Sequence, residues 1–223
     1  MKKWELLDEA RTRDGRVLAL YSRDGCHAIR IDGIELMSTR QHASEERLAA
    51  LVCGPLRGKR RARVLIGGLG LGFTLRAALA ELGTDATVVV VELLGEVIGW
   101  NRNPALPLAA RPLGDRRVRV VEGDVGSFLA KHKVGFDAIL LDVDNGPRAL
   151  CSRGNGRLYE RAGIDTARRA LRENGCVGYW FAGADRFFEK RLRQAGLEVE
   201  VHHCRSHGTS GGRHTIFLGR APA

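Results

Sequence analysis

Hydrophobic and polar residues alternate in short runs early in the chain: Val17 to Tyr21, Cys26 to Ile31 and Ile34 to Met37. Arg23-Asp24-Gly25 separates the first two runs and Asp32-Gly33 the last two, and an Asp-Gly pair between alternating runs predicts a β-hairpin. Ser44-Glu45-Glu46 then opens a helix through about Leu51, with Ser44 as the expected N-cap and acids in the first turn. Beyond Pro55 the rhythm becomes apolar strand, loop, amphipathic helix. Val64 to Ile66 leads through glycines into a helix from Phe73 to Leu82 closed by Gly83, and strands follow at Thr87 to Val91, Val118 to Val121 and Phe136 to Leu141. A helix near Leu158 to Leu171 ends at Asn174-Gly175, and Cys176 to Phe181 is the next strand. The last elements are a helix from Asp185 to Ala195 and strands at Leu197 to Val201 and His214 to Leu218.

Strands apolar on both faces that alternate with helices require a parallel sheet covered on both sides. The final two strands have no helix between them and must run antiparallel. The expected fold is therefore α/β: a doubly wound, mostly parallel seven-stranded sheet over residues 56–223, preceded by a small N-terminal β-hairpin region and helix over residues 1–55. The longest apolar runs, such as Val88 to Val91, fall far short of the ~20 residues that cross a bilayer. The first residues turn polar at once, unlike a secretory signal, so a cytoplasmic protein without membrane contact is expected. Cys26, Cys53, Cys151, Cys176 and Cys204 are scattered without a Cys-x-x-Cys pair, which fits reduced thiols rather than disulfides or a zinc site.

Charge sharpens the picture only once the motifs are placed. Lys and Arg number 36 against 26 Asp and Glu, a formal charge of +10. The basic residues are dispersed, apart from Lys59-Arg60-Arg61-Ala62-Arg63, which reads as a solvated loop or a phosphate-binding patch. No RNA-binding motif or aromatic stripe accompanies it, and nucleic acid is not an expected partner.

The carboxyl ends of the strands are where such a sheet binds its ligand. After the first core strand stands Gly67-Gly68-Leu69-Gly70-Leu71-Gly72, a turn whose glycines let backbone approach a ligand and which opens a helix. It lacks the third glycine of a dinucleotide fingerprint, because Phe73 stands there. Glu92 ends the second strand, where a carboxylate can accept both hydroxyl protons of a ribose. Gly123-Asp124 follows the third strand and suits either an exocyclic amine of a base or a helix cap. The densest signal is Asp142-Val143-Asp144-Asn145 after the fourth strand, where two carboxylates and an amide face a cation, a metal or a proton-bearing substrate. No third hard ligand lies nearby, so no metal is expected, and the histidines from His202 to His214 lack a compact zinc spacing.

These residues, in order and spacing, resemble the spermidine synthase family from about Val17 onward: Ile31-Asp32-Gly33, Ser44-Glu45-Glu46, Val64 to Gly68 with Thr74-Leu75-Arg76, Val91-Glu92, Asp115 to Val118, Gly123-Asp124 and Phe136 to Asp142. The resemblance implies the class I S-adenosylmethionine-dependent methyltransferase fold, a homodimer, and transfer of an aminopropyl group from decarboxylated S-adenosylmethionine to an amine in polyamine biosynthesis. It implies that Gly67, Gly68, Gly70, Gly72, Glu92, Gly123 and Asp124 bind the nucleoside, with Glu92 on the ribose and Asp124 on the adenine. Asp142 would receive the amine's proton with Asp144 beside it, and Glu46, Asn145 and Tyr159 complete the substrate side. The chain departs from the family pattern in having no acid at Leu69 or Gly70, Glu35-Leu36 in place of the hairpin's glutamine, and Ser44 near an expected tyrosine. Two rival readings are a methyltransferase using intact S-adenosylmethionine and a noncatalytic nucleoside or nucleic-acid binder. On the leading reading, an acidic cleft sits inside a basic shell.

Overall fold

The computed structural model describes residues 3–12, 14–133, 135–143, 155–183, 185–207 and 210–222. Its N-terminal part is a four-stranded antiparallel sheet, β1 (Glu5–Arg11), β2 (Val17–Arg23), β3 (Cys26–Ile31) and β4 (Ile34–Ser38), joined in sequential order. The hairpin turns fall where expected, with Asp32 and Gly33 at positive φ. Strand β1 has no signature in the hydrophobic pattern because it is almost wholly exposed; it is held by pairing with β2 and by Asp8, which accepts the Trp100 indole N–H at 2.7 Å.

Next come α1 (Ala43–Cys53), β5 (Arg63–Gly67), α2 (Phe73–Glu81), β6 (Thr87–Glu92), α3 (Gly95–Arg102), β7 (Val118–Glu122), α4 (Val125–Lys131) and β8 (Phe136–Leu141). They are followed by α5 (Arg161–Ala170), β9 (Leu171–Phe181), α6 (Arg186–Gln194), β10 (Glu198–His207) and β11 (Ser210–Arg220). The large sheet has seven strands in the order β10-β11-β9-β8-β5-β6-β7; β11 runs antiparallel to both of its neighbours, and the pairs from β9 to β7 are parallel. Alternate residues feed two cores. Val64, Ile66, Ala138 and Leu140 face the layer that includes α1 and α2, while Leu65, Ile139, Leu141, Val177 and Tyr179 face the layer of α4, α5 and α6. Helix α1 lies directly on the sheet: a Cβ at Gly178 would come within 2.7 Å of Leu48 and 2.5 Å of Val52.

Three local expectations are corrected. Helix α1 starts two residues early, with His42 rather than Ser44 at the N-cap position, and the Ser44 hydroxyl donates to the Glu45 carboxylate instead of capping. Helix α2 stops at Glu81 because Leu82 is already extended, so Gly83 is not its cap. The helix expected from Leu158 divides into a 3-10 turn, Asn155–Tyr159, and α5.

Candidate active site

Strand order reverses at β5, which has β6 on one side and β8 on the other. The carboxyl ends of these strands open onto a two-lobed cleft, and the edge of the N-terminal sheet covers both lobes through Leu36 and Met37.

The glycine turn makes the floor. Gly68 has φ of 90°, donates its N–H to the Val91 carbonyl at 2.9 Å, and lies so close to the next strand that a Cβ would stand 2.2 Å from the Asp142 carbonyl oxygen. A Cβ at Gly70 would meet the Met37 sulfur at 2.6 Å. Asn101 on α3 pins the turn by donating to the Gly70 carbonyl at 2.8 Å. Gly67 and Gly72 do not line the cleft. They permit packing instead, Gly67 against Val125 and Leu141, and Gly72 against Asn101 and Pro112.

Glu92 is buried in the first lobe, a cavity of about 80 Å³. Its two oxygens accept the Leu69 N–H at 2.8 Å and the Leu94 N–H at 2.9 Å. Burial raises its pKa, and these backbone N–H groups pull the other way. A carboxylate has about four acceptor sites, and the backbone N–H groups of Leu94, Leu69, Leu93 and Gly70 all act on this one. Gly123 and Asp124 line the same lobe. Asp124 also caps α4 by accepting the Ser127 N–H at 2.7 Å.

Asp142 borders both lobes. Thr74, in the first turn of α2, donates its hydroxyl to the Asp142 carboxylate. The second lobe measures about 420 Å³ and brings in a residue not singled out above, Glu45. Burial raises both acids, Glu45 to about 7 with the Asp142 charge as a further cause, and Asp142 to about 6 against the lowering effect of Thr74. Two carboxylates facing one desolvated space disfavour each other's ionisation.

Glu46, matched by resemblance, faces elsewhere. It pairs with Arg76 and with His42 Nδ1 at 3.2 Å and lines neither lobe. A signal for Glu45 existed: positions 45, 48, 49 and 52 recur at helical spacing, and Leu48, Ala49 and Val52 are the buried face of α1. Tyr159 is also placed away from the cleft, in a core of aromatic rings with Tyr179, Phe181 and Phe188. Asp144 and Asn145 lie outside the described residues.

The far wall of the second lobe is Trp180, stacked on His214 at 4.6 Å. Among the described residues, the two lobes are lined by Glu35, Glu45, Glu92, Asp124 and Asp142 and by no lysine or arginine. A chain with a formal charge of +10 thus keeps an acidic cleft. No group of three or more His, Cys, Asp or Glu side chains among the described residues is arranged to hold a metal.

Strand order, the antiparallel β11 and a cleft at the ends of β5, β6, β7 and β8 define a class I methyltransferase-like, Rossmann-like fold. The family model of the spermine/spermidine synthase domain matches residues 42–189, about two thirds of the chain, and the chain belongs to that family, whose members are transferases. A spermidine synthase crystallised with the transition-state analogue AdoDATO superposes with a TM-score of 0.77 at 21% identity, over 96% of this chain and 73% of that one. The spermidine synthase from Thermotoga maritima gives 0.74 at 19% identity, over 96% and 72% of the two chains. A probable spermidine synthase from Corynebacterium glutamicum gives 0.65 at 15%, over 99% and 81%. A comparison with curated protein sequences gave no match. No helix among the described residues is long and apolar enough to cross a membrane.

Proposed function

We propose that this chain transfers an aminopropyl group from decarboxylated S-adenosylmethionine to an amine, with Glu92 and Asp124 holding the nucleoside and Asp142 receiving the acceptor's proton. The observation that carries this reading is the acidic lining around Asp142, which suits ammonium groups and offers no basic partner, among the described residues, to the carboxylate of intact S-adenosylmethionine.

An aliphatic amine with a pKa near 10.4 loses about 5 kcal/mol to deprotonation at pH 7. The Asp142 carboxylate first binds the ammonium. One proton passes from the ammonium to Asp142; the nitrogen lone pair so freed forms its bond to the propyl carbon next to sulfur as the carbon–sulfur bond breaks onto sulfur, leaving a neutral thioether and a secondary ammonium. Burial brings Asp142 nearer to neutrality than a solvated aspartate, which makes it a better proton acceptor. Thr74 orients it. The nucleoside lobe, about 80 Å³, is below the roughly 300 Å³ at which small-molecule sites begin. Met37, unbranched and flexible, is the side chain that moves to admit the nucleoside.

A homodimer has a candidate surface on the four-stranded sheet, where Leu6, Leu7 and Ile34 are exposed. The deciding experiment is a product-mass assay with each nucleoside and a panel of amines, repeated on Asp142→Asn. An added aminopropyl mass, lost in the variant while the nucleoside still binds, is the expected result; an added methyl group from intact S-adenosylmethionine, or salt-sensitive RNA binding indifferent to Asp142→Asn, would replace the proposal with one of its rivals.

A further inference from the structure

Aminopropyl transfer releases one proton for every bond made: a primary ammonium and a sulfonium enter, and a secondary ammonium and a neutral thioether leave. Asp142 takes that proton and has to lose it before the next turnover. Its position works against this, because Asp142 borders both lobes, and in the reacting complex the donor closes on it from one side and the acceptor from the other. The second lobe reaches solvent beside the start of α1, where the exposed Glu35 and Gln41 belong to its lining. Glu45 is half-buried in the same stretch of wall, and its carboxyl responds to the Asp142 charge. It does not line the nucleoside lobe, so a nucleoside bound there does not cover it.

Each of the two acids is fixed at one oxygen by a hydroxyl from the first turn of a helix. Ser44 of α1 donates to Glu45 at 2.5 Å, and Thr74 of α2 donates to Asp142. The other titratable groups around Glu45 are Glu35 on β4, Cys204 on β10 and His214 on β11, with Glu46 and Arg47 on its own helix; Glu46 pairs with Arg76, and the Arg47 charge acts on Cys204. Burial raises the Cys204 thiol and lowers the His214 imidazole from an ordinary 6.5, so the thiol stays protonated and the ring is a weak base. Glu45, raised to about 7, lies above Asp142, raised to about 6, so a proton on Asp142 moves downhill to Glu45.

We infer that Glu45 is the proton relay of this site: after each transfer it takes the proton from Asp142 across the second lobe and hands it to solvent beside the start of α1. The inference rests on the transferase reading for the proton's arrival at Asp142. Asp142 returns to the carboxylate as Glu45 becomes the acid, and a water or buffer base at the rim removes the proton and restores the Glu45 carboxylate. Glu45 acts through Asp142 and takes no part in the bond-making step.

The test times proton against product on the full chain, with decarboxylated S-adenosylmethionine and saturating 1,4-diaminobutane, or whichever amine of the panel turns over fastest. A pH indicator in weak buffer reads the proton by stopped flow, and quenched samples read the product by mass. In the parent protein the two are expected to appear in step. In Glu45→Gln, whose amide cannot accept a proton, the first turnover is expected to form product while the proton lags behind it, and the steady-state rate is expected to fall about tenfold. Concentrated imidazole buffer, an external proton acceptor, should restore that rate, and Glu45→Asp should restore it in part. Should Glu45→Gln fail to fold by circular dichroism, Ser44→Ala, which removes the hydroxyl that lowers the Glu45 pKa, is expected to delay the proton in the same way. Proton and product in step in these variants, equal slowing of the first turnover and the steady state, or a lag produced by His214→Gln and not by Glu45→Gln overturns the relay while leaving the transferase reading standing. No aminopropyl product from the parent with any amine of the panel overturns both.

Discussion

Glu45 offers the sharpest quantitative test of the cleft, because a buried acid facing another acid is a burden on the fold unless a ligand answers it. Its pKa rises from an ordinary 4.5 to about 7, first through burial and then through the Asp142 charge. The folded chain therefore binds more protons at this site than the unfolded chain between those two values, and stability falls as pH rises through that window. At about 1.4 kcal/mol for each pH unit of displacement, the full cost above pH 7 is about 3 kcal/mol. Glu45→Gln keeps the volume and removes the charge. Urea unfolding of both proteins at pH 5 and pH 8 should show the variant gaining about 2–3 kcal/mol on the parent between the two conditions. A difference between the proteins that stays constant with pH, or a variant that loses ground at pH 8, would refute the argument that Glu45 is held in the cleft at the expense of stability. The gain in stability should come with weaker amine binding.

Gly68→Ala places a methyl group against the Asp142 carbonyl at a φ of 90°, and should cost about 1–3 kcal/mol by thermal unfolding and weaken nucleoside binding by calorimetry. Glu92→Gln sets an amide N–H₂ against backbone N–H groups the carboxylate now accepts, and nucleoside affinity should fall at least tenfold. Met37→Ala opens the roof over Gly70 and should speed nucleoside association in stopped flow; a slower rate would show that Met37 helps to form the site rather than gating it. Asp137→Asn is a control at the other end of β8. There burial, which alone would raise the carboxyl, is outweighed by the Arg63 N–H at 2.7 Å, Lys59 at 2.9 Å and Arg172 at 3.0 Å, which hold it below its ordinary 3.8. Its stabilising contribution is present above about pH 4 and lost on acidification. The variant should lose about 3 kcal/mol of stability near pH 7 with KM unchanged.

Much of this protein was legible in one dimension. Strands that bury both faces must be continuously apolar, so Val64 to Ile66, Val88 to Val91 and Phe136 to Leu141 declare a covered parallel sheet. A parallel sheet binds its ligands at the carboxyl ends, which made Glu92 and Asp142 visible as acids directly following apolar runs, and Asp124 as one just beyond the Val118 to Val121 strand. Tertiary structure decided what depends on direction and on neighbours distant in sequence. Adjacent residues on a helix point about 100° apart, so the choice between Glu45 in the cleft and Glu46 on Arg76 was settled by the face of α1 that Leu48 and Val52 bury. Trp180 lies well along the chain from Asp142, yet sheet order sets them side by side, because β9 pairs with β8 only after an intervening helix has crossed over. Net charge could describe the shell but not the cleft, since a count carries no coordinates and the acids converge only when four strands end together.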